Sequence, residues 1–549
     1  MAVVGAVALA GCGRDDPSPL VGPDGPGVDD PDGHGIEPIE TAVGTLDLPE
    51  PEDEEDAVSA APSSGDESAV EAPGRPAPTT TSPSPPPPPV DVTVPPDDDP
   101  SPVVEFGPEV DPAQDRLSTF GLDVDSAGFT RTRQALEQGQ LPDPAQVRVE
   151  DLVNAVEGGY EPPAEPGFAV TVDGAVASAA AGPDERVVRV GLATRPVTAD
   201  ARRDSSLTFV IDGSGSMEGP GKLELVKESL TLLVSSLRPT DTVAIVVYST
   251  DARVVLEPTP VAERQRITSA IADLATDGST NVEAGMRLGY QMAGTMFRPD
   301  GINRVVLASD GVANTGSIEP DVILDAIAAD AEAGIQLVST GFGFDGFNDP
   351  FMERLANAGD GFYAYVDDRR EAQRLFVDQL PATLEVQAID ARAQVAFDPA
   401  VVERYRLLGY ENRAIADQDF RDETVDAGEI GAGHTVTAVY AVRLVPEAPA
   451  DATVATASVL WVDPVTRDVR EAGGAVTVGA LAAPLRDADP HVQLAATTAA
   501  LAEALRGSPF AAAGLDAVAA DASRVAALLP ADPTAAEMAE LAAMAAAVA

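Results

Sequence analysis

The stretch Leu207-Thr-Phe-Val-Ile-Asp-Gly-Ser-Gly-Ser216 decides the fold of this chain, because an apolar run passes directly into small polar residues. A strand that is apolar at every position is buried on both faces, which is typical of a parallel sheet covered by helices. Similar runs recur at residues 243–247, 304–308 and 336–340. Helical patterns alternate with these runs, over residues 222–237, 261–274 and 321–333. This alternation predicts a doubly wound α/β domain with a mostly parallel sheet.

The α/β domain is flanked by segments in which apolar and polar residues alternate. Such alternation predicts strands with one buried face, over residues 168–197 before the domain and 385–478 after it. Neither segment alone offers many strands, so we expect the two to pair into one β-sandwich in which the α/β domain is inserted. The other predicted elements are a strand (117–123), two helices (126–138 and 147–156) and alanine-rich helices from His491 onward.

Acidic residues dominate the composition: 90 Asp and Glu stand against 35 Lys and Arg, which gives a formal charge of −55. So negative a chain repels phosphate backbones and anionic head groups, which excludes binding to nucleic acid or to a membrane surface through basic patches. The three histidines are too far apart in sequence for a local zinc pair, and a single cysteine excludes disulfide frameworks and Cys-x-x-Cys sites. We therefore expect cations, basic surfaces or neutral surfaces as partners.

The single cysteine, Cys12, follows a short apolar run at residues 2–10. The run is too short to span a bilayer, and Leu9-Ala-Gly-Cys12 resembles the lipobox of bacterial lipoproteins, in which the cysteine is acylated after the signal segment is cut. Residues 13–112 contain 24 of the chain's 48 prolines and are strongly acidic, which is typical of a disordered, partly polyproline-II tether. We expect an extracytoplasmic protein that is lipid-anchored to the cell membrane.

These patterns divide the chain into six predicted segments. They are a lipoprotein signal segment (1–12), a linker (13–112), an N-terminal flanking segment (113–205), the α/β domain (206–380), a β-rich domain (381–480) and a C-terminal helical segment (481–549).

Small oxygen-bearing residues collect in three loops of the α/β domain, at or near predicted strand ends or a helix start. The loops are Asp212-Gly-Ser-Gly-Ser216, Asp277-Gly-Ser-Thr-Asn281 and Ser309-Asp-Gly311. Loops at the carboxyl ends of parallel strands converge at a topological switch point, so the three can form one site. Any one of them alone is typical of an ordinary turn or helix cap. Together they offer only hard oxygen donors, which a small cation such as Mg²⁺ prefers.

These residues resemble a known metal site. Asp212-x-Ser214-x-Ser216, Thr280 and Asp310 match, residue for residue, the metal-ion-dependent adhesion site (MIDAS) of von Willebrand factor type A (VWA) domains. The resemblance implies that the three hydroxyls bind the ion directly or through water, with the two carboxylates close by. Mg²⁺ is the expected ion, with Mn²⁺ and Ca²⁺ as alternatives. Too few direct carboxylates leave the ion electrophilic, so it would seek an Asp or Glu carboxylate from a partner protein.

The flanking segments are similar to those of a narrower group, the YfbK-like family of bacterial VWA lipoproteins. The similarity extends from Asp115 to Phe510 and includes Ser118–Ser126, Arg148–Asn154 and Tyr405–Arg413. It implies the architecture and leaves the biochemical role open.

The leading functional hypothesis is Mg²⁺-dependent binding of a protein partner at the cell envelope, without catalysis. Two alternatives remain open: a metal-assisted hydrolase, and an envelope scaffold in which the ion is purely structural. A hydrolase needs a general base near the ion, and all three histidines lie outside residues 206–380.

Other motifs favour structural roles. Gly341-Phe-Gly-Phe-Asp-Gly346 follows a strand, but the next helix is predicted to begin only at Asp349, too late for a dinucleotide fingerprint. Asp123 and Asp125 resemble a phosphatase acid pair but lack an evident lysine partner, so a helix cap is expected there. We expect His434 to be a buried hydrogen-bonding residue at a sheet corner and Trp461 to pack in a core or interface.

Overall fold

The computed structural model describes residues 106–122, 127–177, 184–198, 200–219, 222–311, 324, 327–331, 333–343, 349–380, 384–422, 425, 427–511 and 513–549. The predicted signal segment with Cys12, most of the predicted tether and the pair Asp123 and Asp125 lie outside these residues.

The strands are numbered along the chain. They are β1 (Leu117–Gly121), β2 (Phe168–Val176), β3 (Glu185–Thr194), β4 (Ser205–Asp212), β5 (Thr242–Tyr248), β6 (Ala252–Pro260), β7 (Ile302–Ser309), β8 (Gln336–Phe342), β9 (Phe362–Val366), β10 (Val386–Phe397), β11 (Val402–Leu408), β12 (Gly428–Gly431), β13 (Thr435–Leu444), β14 (Thr453–Val462) and β15 (Val469–Thr477). The α-helices are α1 (Ala127–Glu137), α2 (Val149–Asn154), α3 (Leu223–Ser236), α4 (Arg264–Ala272), α5 (Val282–Thr295), α6 (Asp349–Ala358), α7 (Arg369–Gln373), α8 (Pro490–Leu505), α9 (Leu515–Ala526) and α10 (Pro533–Val548).

The α/β segment forms one six-stranded sheet in the order β6-β5-β4-β7-β8-β9. Its neighbouring strands are parallel, except that β6 pairs antiparallel with β5 at one edge. β4 lies in the interior of the sheet, and all of its residues are buried. The predicted α/β fold class is therefore confirmed, with β6 and β9 as strands that the sequence patterns did not predict.

Helices cover both faces of this sheet. Phe209 and Ile211 of β4 pack into a core that includes α3 and α4, whereas Val210 between them packs into a core that includes α5. Of the predicted helix at 321–333, residues 327–331 are helical. Because successive residues of a strand point to opposite faces, burial of both faces accounts for the continuous apolar runs in the sequence.

Two further sheets form the β-sandwich. One has the order β11-β13-β3-β2, and the other has the order β1-β10-β14-β15 with β12 paired to β10. Their inner faces share a core that includes Val190, Val395 and Trp461. β3 precedes the α/β domain and β13 follows it, and the two strands pair antiparallel from Ala193 and Thr435 onward. The predicted pairing of the segments before and after the inserted domain is therefore confirmed.

The chain enters and leaves the inserted domain at one place. Arg203 Nε lies 3.5 Å from Glu385 Oε1, so the segment before β4 contacts the segment before β10. Arg304, at the start of β7, donates a hydrogen bond of 3.2 Å from Nε to the carbonyl oxygen of Leu384. Entry and exit are therefore joined at the amino end of the parallel sheet, away from the loops that follow the strands.

Residues 106–112 belong to the folded part of the chain. Val110 pairs with Tyr405 of β11 through two backbone hydrogen bonds of 2.8 and 3.0 Å. The guanidinium of Arg506 lies 5.1 Å from the ring centroid of Phe106. The tether boundary predicted at residue 112 is therefore too late.

A helical layer packs against the sandwich. Helices α1 and α2 share an apolar core with α8, α9 and α10, and this core includes Phe129, Leu152 and Leu541 together with Val439 of β13. Within the described residues, we find no helix of the length and hydropathy needed to cross a membrane.

A buried charge cluster, here called the Arg133 cluster, ties this helical layer to the α/β domain. Arg133 of α1 lies 2.6 Å from Asp367, which follows β9, and 3.4 Å from both Glu371 of α7 and Glu537 of α10. The side chain of Arg133 is 3% exposed. A single guanidinium therefore connects three separate parts of the chain.

Candidate metal site

Strand order brings the first and third polar loops together. β5, the next strand along the chain, lies on one side of β4, and β7, which comes later in the chain, lies on the other side. The strand order therefore reverses at β4. The gap above a strand at such a reversal is where open α/β sheets bind their ligands. Asp212 ends β4, and Asp310 directly follows β7, the parallel neighbour of β4.

The first loop turns back on itself through hydrogen bonds of its own side chains. The backbone amide of Ser214 donates to Asp212 Oδ1 over 2.9 Å, and the hydroxyls of Ser214 and Ser216 lie 2.8 Å apart. Asp212 and Ser214 are buried, whereas Ser216 is half-buried. The loop therefore presents two hydroxyls beside one carboxylate.

The second loop is held against the first by backbone pairing. The amide of Asp277 donates to the carbonyl of Gly213 over 2.6 Å, and the amide of Gly215 donates to the carbonyl of Gly278 over 3.1 Å. Thr280 is buried beside this pairing, 1% exposed. Asn281 then caps α5 by accepting a hydrogen bond from the amide of Ala284, which fixes where the loop ends.

The third loop is joined to the first through Ser309. The Ser309 hydroxyl donates to Asp212 Oδ2 over 2.8 Å, and the Ser309 Oγ accepts a hydrogen bond of 3.0 Å from the amide of Gly311. Asp310 lies between these two residues and is 1% exposed. Gly311 has φ +74°, a left-handed conformation that favours glycine and lets the chain turn sharply after Asp310.

Burial sets the electrostatics of the site. Loss of solvent raises the pKa of Asp212, hydrogen bonds from Ser214 and Ser309 oppose this rise, and the negative charge of Asp310 adds to it. Burial, followed by the charge of Asp212, raises the pKa of the Tyr248 phenol well above its usual value, so this phenol stays neutral. Two buried carboxylates in one site favour the presence of a cation.

A lysine that the sequence patterns do not predict at this site also contacts it. Lys222 Nζ donates to Asp310 Oδ2 over 2.9 Å. Lysine 222 follows the first loop in sequence, but no local pattern indicates that its side chain reaches the loop after β7. The sequence likewise does not predict that Ser309, in the third loop, supports Asp212.

The five predicted site residues therefore lie in three loops that contact one another, and their donors suit a hard divalent ion: two carboxylates and three hydroxyls. Among the described residues, no group of three or more His, Cys, Asp or Glu side chains could hold a metal ion. The hydroxyl-rich composition of this site is consistent with that finding. A cavity of about 600 Å³ lies elsewhere, and Arg374, His434 and Thr534 are among its lining residues.

The remaining candidates have mixed outcomes. Trp461 is buried in the sandwich core and makes an edge-to-face contact with Phe168, at 5.1 Å between ring centroids, so its predicted packing role is confirmed. The helix after the glycine-rich loop begins at Asp349, as expected. The His434 residue as a whole is half-buried, but its Nδ1 atom is buried and has no hydrogen-bond partner in the described part of the chain. The predicted hydrogen-bonding role of its ring is therefore not supported.

The fold and the loops define a class of domain: residues 206–378 match the family model of the von Willebrand factor type A domain. Residues 382–459 match a model described as the C-terminal region of the uncharacterized protein YfbK, and residues 104–189 match a model described as von Willebrand factor.

Individual proteins are similar to parts of this chain. The uncharacterized protein YfbK of Escherichia coli is 37% identical over 340 residues, which cover 60% of this chain and 59% of YfbK. Human inter-alpha-trypsin inhibitor heavy chain H4 is 29% identical over 174 residues, covering 30% of this chain and 18% of that protein. A solved structure of a von Willebrand factor type A protein from Catenulispora acidiphila, 17% identical, aligns with 66% of this chain and 86% of its own at a TM-score of 0.38. The chain thus spans between 18% and 59% of the length of these two sequence relatives.

Proposed function

We propose that the α/β domain binds a partner protein through a divalent ion, Mg²⁺, held by Asp212, Ser214, Ser216, Thr280 and Asp310. Protein–protein interaction is a common role of VWA domains, and the proposal names the site that would carry it here. One observation supports it: the three loops that carry two buried carboxylates and three hydroxyl-bearing residues contact one another at the switch point of the sheet. Mn²⁺ and Ca²⁺ are the alternative ions for such a donor set.

This donor set leaves room for a ligand from outside. Three of the five side chains are neutral hydroxyls, so the chain provides few negative oxygens. When bound, the ion would attract a further anionic oxygen, and an Asp or Glu carboxylate of the partner can supply one. Ser216 is half-buried while the other four residues are buried, so the partner approaches past Ser216.

The proposed role is binding without catalysis. Hydrolysis assisted by the same ion would require a general base within hydrogen-bond reach of the reacting water. Both histidines of the folded segments, His434 and His491, lie outside the α/β domain in sequence. An Asp212-dependent hydrolysis of p-nitrophenyl phosphate would contradict this part of the proposal.

We further propose that the protein is exported and anchored to the cell membrane through an acylated Cys12, with the acidic, proline-rich segment as a tether. Metabolic labelling with a palmitate analogue tests the anchor. The label is expected on the full chain and not on the Cys12→Ser variant, and equal labelling of both would refute the anchor without affecting the metal site.

Two measurements test the metal-dependent binding. In calorimetric titration with MgCl₂, the wild-type chain is expected to bind one ion and the Asp212→Ala variant none. In crosslinking of intact cells, EDTA and Asp212→Ala are both expected to remove the captured partner. Asp277→Ala is the matched control, because Asp277 is an exposed acid of the second loop outside the five-residue set.

The outcomes separate the alternatives. Partner capture that persists in EDTA and in Asp212→Ala would overturn the proposal. If EDTA lowers the melting temperature but leaves capture unchanged, the ion has a structural role. The melting temperature of Asp212→Ala without metal shows whether the variant is still folded.

A further inference from the structure

Lys222 reaches into the proposed metal site from the residue before α3. Its Nζ lies 2.9 Å from Asp310 Oδ2, and the two side chains are 14% and 1% exposed. Because both groups are shielded from solvent, salt screens their attraction only weakly. The inference concerns the same site and therefore rests on the proposed function.

Two glycines, which have no side chain, leave space for the side chain of Lys222. A Cβ atom at Gly343, in the loop after β8, would lie 2.7 Å from Lys222 Cε. A Cβ atom at Gly219 would lie 3.5 Å from Lys222 Cδ. Gly343 also has φ +110°, where other residues are strained. Gly343, which belongs to the segment that resembles a dinucleotide-binding motif, thus has another role, because it leaves space for the aliphatic part of the Lys222 side chain.

The ammonium changes the charge of the site. Asp212 and Asp310 alone would bring two negative charges, which a divalent ion would cancel. With Lys222 present, the formal charge is −1 without the ion and +1 with it. A less negative site holds a cation more weakly, and a positive loaded site attracts a carboxylate more strongly.

We propose that Lys222 is the residue that makes this site dependent on an acidic partner. Its ammonium lowers the affinity for the metal ion and raises the affinity of the loaded site for a carboxylate. Lys222 is a positioning residue in this role, because it acts through Asp310. The two effects have opposite signs, whereas a merely structural ion pair would change both affinities in the same direction or neither.

The test uses Mn²⁺ and acetate as probes on the 549-residue chain. Mn²⁺ affinity is measured by electron paramagnetic resonance, and acetate binding by the loss of water-proton relaxation enhancement at bound Mn²⁺. In Lys222→Met, we expect Mn²⁺ to bind about tenfold more tightly and acetate about tenfold more weakly than in the wild type. Lys222→Arg keeps the charge and should restore both affinities towards wild type.

The chain contains a matched control, since its other lysine is Lys227. Lys227 pairs with Glu224 over 2.8 Å, one turn along α3, and Glu224 is 80% exposed. Lys227→Met removes the same charge outside the loops and should leave both affinities within about twofold of wild type. Circular dichroism establishes that each variant is folded, and Lys222→Gln replaces Lys222→Met if the latter is not.

Each outcome has one meaning. Unchanged affinities in a folded Lys222→Met or Lys222→Gln variant, or two shifts of the same sign, would overturn the role of Lys222 while leaving the metal site intact. Mn²⁺ binding that is absent from the wild type, or that survives in Asp212→Ala, would instead overturn the proposed function and this inference with it.

Discussion

Replacement of Arg133 by Met is expected to destabilise the junction between the helical layer and the α/β domain. Met keeps much of the apolar part of the arginine side chain but has none of the guanidinium N–H donors that bind the acids of the Arg133 cluster. Asp367 and Glu371, whose side chains are 5% and 3% exposed, would remain buried without their shared counter-charge. Arg374 still pairs with Glu371 over 2.7 Å, so Asp367 is the more affected of the two.

Removing one partner of a buried ion pair costs about 3–5 kcal/mol, and we expect a loss in this range at pH 8. The loss should depend on pH. Burial raises the pKa of Asp367 from 3.8 to about 6 even though Arg133 opposes the rise. Without Arg133 the folded-state pKa rises further, so the added penalty is absent well below about pH 6, where Asp367 is protonated in both folded proteins, and grows as the pH rises above that value. The variant should therefore lose less stability at pH 5 than at pH 8.

Urea unfolding at both pH values measures this. The single tryptophan, Trp461, reports on the sandwich core, whereas far-UV circular dichroism reports on all segments. The control is Arg369→Met, because Arg369 and its partner Glu228 are 66% and 53% exposed, and its loss should stay below about 0.5 kcal/mol. A loss under about 1 kcal/mol at pH 8, or equal losses at pH 5 and pH 8, would refute the reasoning.

Three further predictions concern other buried contacts. In Gly289→Ala, the new Cβ would lie 2.3 Å from Val210 Cγ2, so α5 must move from the sheet and the melting temperature should fall by an amount equivalent to about 1–3 kcal/mol. Burial lowers the pKa of His434 to about 4, so the stability that depends on its neutral ring is full above about pH 6.5 and is lost as the pH falls. In urea titrations, His434→Gln should therefore avoid about 2 kcal/mol of the free energy of unfolding that the wild type loses between pH 7 and 5. Arg202→Met leaves Asp241 buried without its bidentate partner and should cost about 3–5 kcal/mol in the same assay, a value that a loss below about 1 kcal/mol would contradict.

The sequence predicts the buried strands of this protein better than its exposed ones. β4, β5 and β7 are buried on both faces, so their apolar runs predict both that they are buried and that they are strands of a parallel sheet. β15 is largely exposed and contains Gly473 and Gly474, so its residues show no clear alternation. β6 contains two prolines and lies at the antiparallel edge, where proline is tolerated but obscures the strand pattern.

Four of the five site residues could be placed from sequence because they lie at or just after the ends of β4 and β7, which strand order brings together. Thr280 precedes α5 instead, and backbone pairing between the first and second loops holds it beside them. Lys222 could not be found in this way. Its contact with Asp310 depends on the space beside Gly343, which belongs to a loop more than a hundred residues later. The Arg133 cluster was missed for the same reason, since tertiary packing alone brings α1, α7 and α10 together.

The insertion of one domain within another has a consequence for synthesis on the ribosome. β3 is made before the α/β domain and β13 after it, so β3 cannot pair with β13 until the whole α/β domain has been synthesised. If the inserted domain folds first, its entry and exit lie close together, as the contact of Arg203 with Glu385 indicates, and this shortens the loop that β3 and β13 must close. The α/β domain would then act as the template on which the surrounding β-sandwich is assembled.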